Sequence, residues 1–311
     1  MNVYCIIVTY NAMKWVDRCL KSLRESSVPL NLVIIDNGSK DNTISYIKEN
    51  YQDAHIIVND KNKGFGQANN QGIEYAYNNG ATHFFLLNQD AWIQKDSVSV
   101  LVETMDRYHL AVVSPIQLNG DGTMYDKSFC RAAVFNTQNV SLISDLTFGT
   151  IKDYYTVISV PAASWLISKD TIETIGGFDP LFFHYGEDSN YCQRLKFHKL
   201  TIAIAPRAFI NHDREEKGNI ELFNKLLMLR ALFLEYANIN LKPFLINKNT
   251  FKLHLRIVVN LLMGLLTFDG KRISNTWWTI LQFYSHIRDI KTSRMNNVLI
   301  GANWLRISKN K

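Results

Sequence analysis

The stretch Phe84-Phe85-Leu86-Leu87-Asn88-Gln89-Asp90-Ala91 decides the fold of this chain of 311 residues. Its apolar half, Phe84 to Leu87, is short and bounded by polar residues, which is typical of a buried strand. Asp90 follows just past the carboxyl end of that strand, at the edge of an α/β sheet where ligands bind. A carboxylate two residues after the Asn88 amide suits a divalent cation and the phosphates that the cation carries. The alternative for this stretch alone is a strand followed by an Asp-containing turn.

Three apolar, β-branched runs precede this strand, and apolar residues at helical spacing separate them. The predicted strands are Val3–Thr9, Leu32–Ile35, His55–Val58 and Phe84–Leu87. Strands that alternate with helices in this way predict βαβ units and a mostly parallel sheet, and therefore an α/β fold. The pattern weakens from 119 to 153, where we expect loop and short strands, and it becomes helical from Glu221 onward. We therefore predict an α/β domain over 1–215 and a mainly helical, basic region over 216–311.

The composition argues against several classes of protein. The four cysteines are scattered without the paired spacing of a zinc site or a disulfide framework, which points to a reducing compartment. The N-terminus lacks the charged region of a secretory signal. The most apolar stretch, 257–268, is too short to span a bilayer and is bracketed by charged residues. These features predict a cytoplasmic location.

The net charge of +6 is unevenly distributed along the chain. From Lys248 onward there are eleven Lys or Arg residues against two acids, whereas the preceding part is mildly acidic. A basic tail with Trp277 and Trp278 is compatible with nucleic acid, with an anionic membrane surface or with an anionic substrate. Composition alone does not choose among these partners.

The loops after the first and third strands lack the signatures of common nucleotide-binding enzymes. A dinucleotide site would place a glycine-rich turn after the first strand, where the chain has Thr9-Tyr10-Asn11. The run from Gly64 to Asn69 has Asn where G-x-G-x-x-G needs its third Gly, and it follows the third strand. A P-loop is also absent from the sequence. These observations argue against a nicotinamide or flavin enzyme and against an ATPase or kinase.

Six blocks occur in order along roughly the first two thirds of the chain. They are Ile6-Ile7-Val8-Thr9-Tyr10-Asn11, Val33-Ile34-Ile35-Asp36-Asn37-Gly38-Ser39-Lys40-Asp41, Asn62-Lys63-Gly64-Phe65-Gly66 with Asn69-Asn70, Leu87-Asn88-Gln89-Asp90-Ala91, Gly176-Gly177-Phe178-Asp179-Pro180, and Phe182-Phe183 with Glu187-Asp188. Together these blocks resemble glycosyltransferase family 2, and within it the rhamnosyltransferase-like branch. The resemblance implies a GT-A fold, a nucleotide-sugar donor, a divalent cation such as Mg²⁺ or Mn²⁺, and inversion at the anomeric carbon.

The resemblance also implies a role for each matching residue. The positions implied around the nucleotide sugar are Thr9, Tyr10, Asn11, Asp36, Gly64, Asn69, Asn88 and Asp90. Asn88-Gln89-Asp90 matches the D-x-D motif with Asn as its first residue, which leaves Asp90 as the main metal ligand of the motif. Asp188 matches the catalytic base, preceded by Glu187, which we place near the acceptor. His212 matches a histidine that often completes metal or diphosphate binding.

The residues themselves are compatible with the same chemistry, and each has a plainer alternative. Transfer of a sugar requires a metal ion to neutralise the departing diphosphate and a carboxylate to remove the proton of the incoming hydroxyl. Asp90 and Asp188 fit these two roles, although Asp188 is also an ordinary acid for the first turn of a helix. His212 alone is more typical of a surface or hydrogen-bonded histidine. Trp165 is a candidate to stack on an acceptor sugar, and a core position is its alternative.

The sequence therefore predicts an inverting, metal-dependent glycosyltransferase of surface polysaccharide biosynthesis. The expected donor is a dTDP-, UDP- or GDP-sugar, with dTDP-rhamnose as a candidate, and the expected acceptor is a saccharide or a lipid-linked saccharide. Two alternatives stay open at this point: a non-catalytic module that binds a nucleotide sugar or glycan, and a nucleotidyltransferase. We expect no nucleic-acid partner. For the helical region, peripheral contact with the inner face of the membrane and homodimerisation are both open.

Overall fold

The computed structural model describes residues 1–134, 140–183, 185–214, 220–242, 255 and 257–307. Packing divides the chain into two units. The first unit comprises Met1–Glu215 together with Ile300–Lys311, and the second comprises Glu216–Leu299. The sequence pattern predicts a single boundary after residue 215, whereas in the structure the chain returns to the first unit at Ile300.

The first unit contains a nine-stranded sheet with helices on both faces. Its strands are β1 (Val3–Thr9), β2 (Asn31–Asp36), β3 (His55–Val58), β4 (His83–Asn88), β5 (Ala91–Ile93), β6 (Val112–Asn119), β7 (Tyr155–Thr156), β8 (Ser164–Ser168) and β9 (Ile202–His212). Its helices are α1 (Val16–Arg24), α2 (Thr43–Asn50), α3 (Phe65–Asn78), α4 (Ser97–Tyr108), α5 (Lys127–Phe129), α6 (Val140–Phe148), α7 (Lys169–Ile175) and α8 (Glu187–Phe197), with a π-helical turn over Cys130–Val134. The predicted α/β fold is confirmed.

The strand order across the sheet is β3-β2-β1-β4-β8-β6-β9-β5, and β7 pairs with β9. The strands β3, β2, β1 and β4 are parallel neighbours, whereas β8 and β5 run antiparallel to theirs. The chain moves from β1 towards β3 and then crosses to the other side of β1 to form β4. The order thus reverses between β1 and β4, and such a switch point opens a crevice at the carboxyl ends of the strands.

The central strands are apolar throughout because both faces of the sheet are covered. Alternate side chains enter two separate cores: Ile6 and Leu86 lie in one, and Ile7 and Phe85 lie in the other. All four are at most 1% exposed. This burial on both faces explains why the continuous apolar runs of β1, β2 and β4 were visible in the sequence.

Residues 300–307, which we call the return segment, pack against the first unit. The Gly301 amide donates a hydrogen bond to the Thr174 carbonyl, and the Gly177 amide donates to the Asn303 carbonyl, each at 2.9 Å. The Asn70 side chain joins the same turn, because it exchanges hydrogen bonds with the Phe178 amide (2.7 Å) and carbonyl (2.8 Å). The return segment is therefore hydrogen-bonded to α7 and to the turn that follows it.

The described part of the second unit is helical. Its helices are Ile220–Tyr236, a helix over 257–266, Gly270–Ser285 and Ile287–Asn297. Among the residues that the structure describes, none of the helices has the length and apolar character needed to cross a membrane. The predicted helical region is therefore present.

Candidate active site

The loops after β1, β2 and β4 meet at the crevice. Asp36, at the end of β2, is fully buried. Its Oδ1 accepts hydrogen bonds from the hydroxyls of Thr9 (3.0 Å) and Ser39 (2.5 Å), and its Oδ2 accepts from the amides of Gly38 (3.1 Å) and Ser39 (2.9 Å). In this structure the Asp36 carboxylate therefore organises the 36–39 loop, and a bond to a ribose would be additional to these four.

Tyr10 and Asn11 connect the neighbouring loops to one another by hydrogen bonds. The Tyr10 amide donates to the Gln89 side chain at 2.7 Å, which ties the loop after β1 to the loop after β4. The Asn11 amide donates to the Ser39 hydroxyl at 2.9 Å, and the Asn11 side chain accepts from the Lys40 amide at 2.8 Å. The Tyr10 side chain is 44% exposed and is therefore accessible to a ligand.

The glycine block at the start of α3 contacts the segment that carries Asp188. Gly64 has a φ of +83°, and a Cβ there would lie 2.0 Å from the Phe183 carbonyl oxygen. A Cβ on Gly66 would lie 3.5 Å from the Glu187 Cβ. Asn69 is 1% exposed, and its side chain donates to the Phe65 carbonyl one turn earlier. Two blocks that lie more than 110 residues apart in the sequence are thus brought together.

Asp90 and His212 converge at the end of the sheet. Pairing of β5 with β9 places Ala91 opposite His212, and the Asp213 amide donates to the Asp90 carbonyl at 2.8 Å. As a result, the His212 Nε2 lies 3.2 Å from the Asp90 Oδ1. The His212 side chain is 1% exposed and the Asp90 side chain is 19% exposed, so the carboxylate is the member of the pair that a ligand reaches.

These residues fit a divalent cation that takes some of its ligands from the protein and the others from a substrate. A carboxylate oxygen and an imidazole nitrogen that converge at 3.2 Å supply two ligands of a suitable kind. The Asn88 amide oxygen is buried beside them, with no hydrogen-bond partner in the described part of the chain. Over the same described ranges, no cluster of three or more His, Cys, Asp or Glu side chains stands ready to hold a metal ion. The remaining ligands of a cation here would be a diphosphate and water.

Asp126 is a neighbour of His212 that the sequence did not reveal. Its Oδ2 lies 3.9 Å from the His212 Nδ1 and accepts a hydrogen bond from the Arg214 Nε at 2.6 Å. Its Oδ1 caps α5 by accepting from the amides of Ser128 and Phe129. Burial raises the pKa of Asp126, but the bonds from Arg214 and from the Phe129 amide outweigh burial and hold that pKa below its usual value. Asp126 falls in the weakly patterned 119–153 stretch, where no local signal marks it.

Replacing Asp126 with Ala is expected to destabilise the first unit by about 1–2 kcal/mol at pH 7, because a helix cap and a partly buried ion pair are lost. The folded-state pKa is depressed, so this contribution is fully present above the unfolded-state pKa of about 4 and disappears as the pH falls through the folded-state value. Urea unfolding at pH 7 and in acid measures both effects. Asp60→Ala, at an exposed acid elsewhere in the first unit, is the control, and equal stability of the two variants would contradict this account.

Asp188 lies in the first turn of α8. Gly186 precedes the helix with a φ of +107°, and the Ser189 amide donates to the Asp188 Oδ1 at 2.6 Å. The helix dipole at the start of a helix interacts favourably with a carboxylate, which suits an acid at this position. One turn later, burial and the charge of Asp188 raise the pKa of Cys192 to about 12, so this thiol stays neutral. Asp188 is therefore the member of this turn that is suited to act as a base.

Trp165 is fully buried, so its ring offers no surface to an acceptor sugar, and the prediction that it stacks on one is wrong. Its indole lies 6.2 Å from the Phe178 ring and 5.7 Å from the Tyr191 ring, within the core. Its strand, β8, lies between β4 and β6, which leaves no open surface beside it. The exposed aromatic residues near Asp188 are Phe183 (57%) and Tyr185 (38%). The sequence could not distinguish a core Trp from a sugar-binding one, because the residues around Trp165 are compatible with both.

Three comparisons with known proteins agree with this architecture. The family model described as Glycosyl transferase family 2 matches residues 4–173. A dTDP-rhamnosyl transferase, RfbF of Shigella flexneri, is 24% identical over 224 residues, covering 70% of this chain and 71% of its own. An N-acetylglucosaminyl-diphospho-decaprenol L-rhamnosyltransferase of Mycobacterium tuberculosis is 22% identical over 237 residues, covering 68% and 76%.

The fold is shared with solved structures at low sequence identity. The crystal structure of S. aureus TarS 1–349 in complex with UDP-GlcNAc aligns with a TM-score of 0.56 at 15% identity, covering 96% of this chain and 89% of that one. The complex of the same protein with UDP aligns with a TM-score of 0.53. At this identity the likeness concerns the fold alone, and it confirms the expected GT-A fold.

Proposed function

This chain belongs to glycosyltransferase family 2 and is a glycosyltransferase, and from this we propose that it is a metal-dependent, inverting enzyme that transfers rhamnose from dTDP-rhamnose to a saccharide or lipid-linked saccharide acceptor. The observation that carries the proposal is the convergence of Asp90 and His212 at 3.2 Å beside the loops that follow β1 and β2. Surface polysaccharide assembly is the setting that such a donor and acceptor suggest.

The proposed donor is supported by the relatives. The names of RfbF and of the mycobacterial relative both specify transfer of rhamnose, and the name of RfbF specifies a dTDP donor. The TarS complexes contain UDP or UDP-GlcNAc, so a uridine donor is the first alternative to test. Thr9, Tyr10, Asn11, Asp36 and Gly64 border the crevice where the nucleotide is proposed to bind.

In the proposed mechanism Asp90 and His212 would hold the cation, which would act as a Lewis acid for the departing diphosphate. Asp188 accepts the proton of the acceptor hydroxyl. The hydroxyl oxygen then forms a bond to the anomeric carbon while the bond from that carbon to the diphosphate oxygen breaks. Because a single displacement proceeds from the face opposite the leaving group, the configuration at the anomeric carbon inverts. Glu187 and the exposed ring of Phe183 are proposed to lie beside the acceptor.

A thermal-shift panel with dTDP, UDP and GDP, each with Mg²⁺ or Mn²⁺, tests donor binding. A ligand at one hundred times its Kd stabilises the folded chain by about 2.7 kcal/mol, which raises the melting temperature. We expect the largest shift with dTDP and a divalent cation, followed by release of dTDP from dTDP-rhamnose when an acceptor is present. Release of pyrophosphate would indicate a nucleotidyltransferase instead, and binding without turnover would indicate a binding module.

Replacing Asp90 with Asn is expected to remove the metal-dependent part of that shift and to lower the transfer rate by about 100-fold or more, because the cation loses its charged protein ligand. Titration of Mn²⁺ against the dTDP-induced melting shift measures the first effect. Asp96→Asn is the matched control, since Asp96 is an exposed acid six residues further along. An unchanged Mn²⁺ dependence in Asp90→Asn would show that the metal, if bound, is held elsewhere.

We further propose that the second unit contacts the inner face of the membrane, where a lipid-linked acceptor would lie. One face of the helix over 257–266 is apolar and exposed, and so is Leu255. The residues concerned are Leu255, Val258, Val259, Leu262 and Leu266, each 47–75% exposed. Phe268, just after the helix, is 95% exposed. The unit also carries twelve Lys or Arg residues against five acids over 216–299. An apolar face with an excess of positive charge suits an anionic lipid surface.

Flotation with vesicles of phosphatidylcholine and phosphatidylglycerol tests this contact. The full chain is expected to float, and Leu262→Glu combined with Leu266→Glu is expected to keep most of it in the soluble fraction, because two charges enter the apolar face. Ile158→Glu, an exposed apolar position in the first unit, is the control. If instead the wild type elutes as a dimer and does not float, and the double variant elutes as a monomer, the face is a subunit interface.

A further inference from the structure

A cavity of about 850 Å³ is lined in part by His212, and the proposed mechanism assigns no ligand to it. It opens between α1, the end of β9 and the loop 119–127 that follows β6. Its lining includes Arg18, Trp92, Tyr125, Asp126, Lys127 and His212. A volume of this size lies within the range of sites that enclose small molecules. The loops after β1 and β2, where the nucleoside is proposed to bind, contribute none of the residues that line this cavity.

The loop that walls the cavity is shaped by close packing. A Cβ on Gly120 would lie 2.9 Å from the Asp213 Cβ, and a Cβ on Gly122 would lie 2.7 Å from the Asn211 Nδ2. The Asn119 side chain accepts hydrogen bonds from the amides of Thr123 and Met124 at 3.0 Å each, which closes the turn. The cavity wall is therefore held by hydrogen bonds and close packing within the chain.

The charges around the cavity balance one another. The six charged residues are Arg18, Lys127 and Arg214 with Asp121, Asp126 and Asp213. Arg214 is paired with Asp126 at 2.6 Å, and the Trp15 indole donates to Asp213 at 2.9 Å. The Arg18 guanidinium stacks at 3.7 Å over the ring of Trp92. A site for a phosphate or diphosphate would require an excess of positive charge, which this cavity lacks. The balance favours a neutral, polar ligand.

The remaining groups suit a sugar ring. Tyr125 is 40% exposed and offers an aromatic surface for the apolar C–H face of a sugar. His212 is 2% exposed, and its Nδ1 has no hydrogen-bond partner among the residues that the structure describes. An imidazole nitrogen accepts from or donates to a hydroxyl, depending on the tautomer. Asp121 and the Arg18 guanidinium supply further planar polar groups at the rim.

We propose that this cavity is a saccharide subsite that binds one neutral sugar residue of the acceptor, at a distance from the hydroxyl that reacts. The inference rests on the proposed function, because an acceptor glycan is needed to supply that sugar. His212 links the two sites, since its Nε2 faces Asp90 while its ring lines the cavity. An acceptor residue held here helps to retain the glycan during transfer without taking part in the displacement.

Saturation-transfer NMR on the full chain tests the subsite. The probes are the methyl glycosides of rhamnose, galactose, glucose and N-acetylglucosamine, with pyrophosphate as an anionic competitor. At least one glycoside is expected to bind, and Tyr125→Ala and Arg18→Ala are each expected to weaken it by about tenfold. Arg24→Ala is the matched control, because Arg24 also lies on α1 and stacks over an aromatic ring, that of Tyr51 at 4.2 Å, outside the cavity.

A second measurement separates failure of the subsite from failure of the proposed function. The melting shift produced by dTDP with Mn²⁺ is expected to be unchanged in Tyr125→Ala and Arg18→Ala. If no glycoside binds while that shift persists, the subsite is overturned and the proposed function stands. If pyrophosphate binds and Arg18→Ala weakens it, the cavity is an anion site and the inference is also overturned. If neither the glycosides nor any nucleoside diphosphate binds, both proposals fail together.

Discussion

Replacing Asp188 with Asn is expected to lower the rate of sugar transfer by about 10²–10⁴-fold, because the acceptor hydroxyl loses the carboxylate that accepts its proton. The amide keeps the shape of the side chain and retains an oxygen to accept the bond from the Ser189 amide. Binding of dTDP with Mn²⁺ should therefore stay within about twofold of wild type, since Asp188 is not a proposed metal ligand. Single-turnover transfer and the melting shift measure the two effects separately.

The matched control for Asp188 is Asp170→Asn. Asp170 is an exposed acid in the first turn of α7, as Asp188 is an acid in the first turn of α8. If loss of helix-end charge were the whole effect, the two variants would lose stability equally and neither would lose the chemical step. Full transfer activity in Asp188→Asn would remove the proposed base. Equal losses of transfer and of dTDP binding would show that Asp188 acts in binding.

Replacing Gly176 with Ala is expected to destabilise the first unit by about 2–4 kcal/mol, which corresponds to a fall in melting temperature of roughly 5–15 °C. Gly176 has a φ of +76°, and a Cβ there would lie 1.9 Å from the Asn303 carbonyl oxygen and 2.3 Å from its amide nitrogen. The new methyl group therefore displaces the return segment as well as straining the backbone. Thermal unfolding followed by tryptophan fluorescence measures the loss.

The effect of Gly176→Ala should extend to the helix that carries Asp188. The Tyr191 hydroxyl donates to the Gly176 carbonyl at 3.1 Å, and the buried Arg194 donates to the carbonyls of Gly177 (2.5 Å) and Ile175. We expect faster proteolysis within 300–307 and reduced transfer in the same variant. Gly149→Ala is the control, because Gly149 has a φ of +72° and no atom within 4 Å of a new Cβ. Equal destabilisation of both variants would show that backbone strain alone is responsible.

Apolar runs predicted strands well both where the strand is buried, as β1 is, and where it lies at the sheet edge and is partly exposed, as β3 is. Val3–Thr9 and His55–Val58 were predicted with the bounds that the structure shows. The apolar starts of β6 and β9 are short, whereas both strands continue to Asn119 and His212. Their second halves pair with each other after a shift in register beyond Pro115. Pairing of this kind allows a strand to contain polar residues. Neither segment alone then shows the alternating or apolar sequence pattern that predicts a strand.

Contacts between distant segments account for what the sequence could not show. Gly176-Gly177 enters the sequence prediction only as part of one of the six blocks, whereas in the structure the backbone of the return segment packs closely against the pair. Asp126 contacts His212 across 86 residues of chain, in a stretch predicted as loop and short strands that contains α5, the π-helical turn and α6. The assigned roles of Asp90, Asp188 and His212 stay predictions, although the structure brings Asp90 and His212 into contact.

The first unit cannot be completed on the ribosome until the return segment has been made. The two stretches of this unit are separated by residues 216–299. At about 5–20 residues per second, translation of those 84 residues takes roughly 4–17 s. During that interval Leu305 and Ile307 do not yet cover the apolar core that they pack against. A nascent chain stalled before residue 300 should therefore expose a chaperone-binding surface, and enzyme activity should appear only after translation has passed that point.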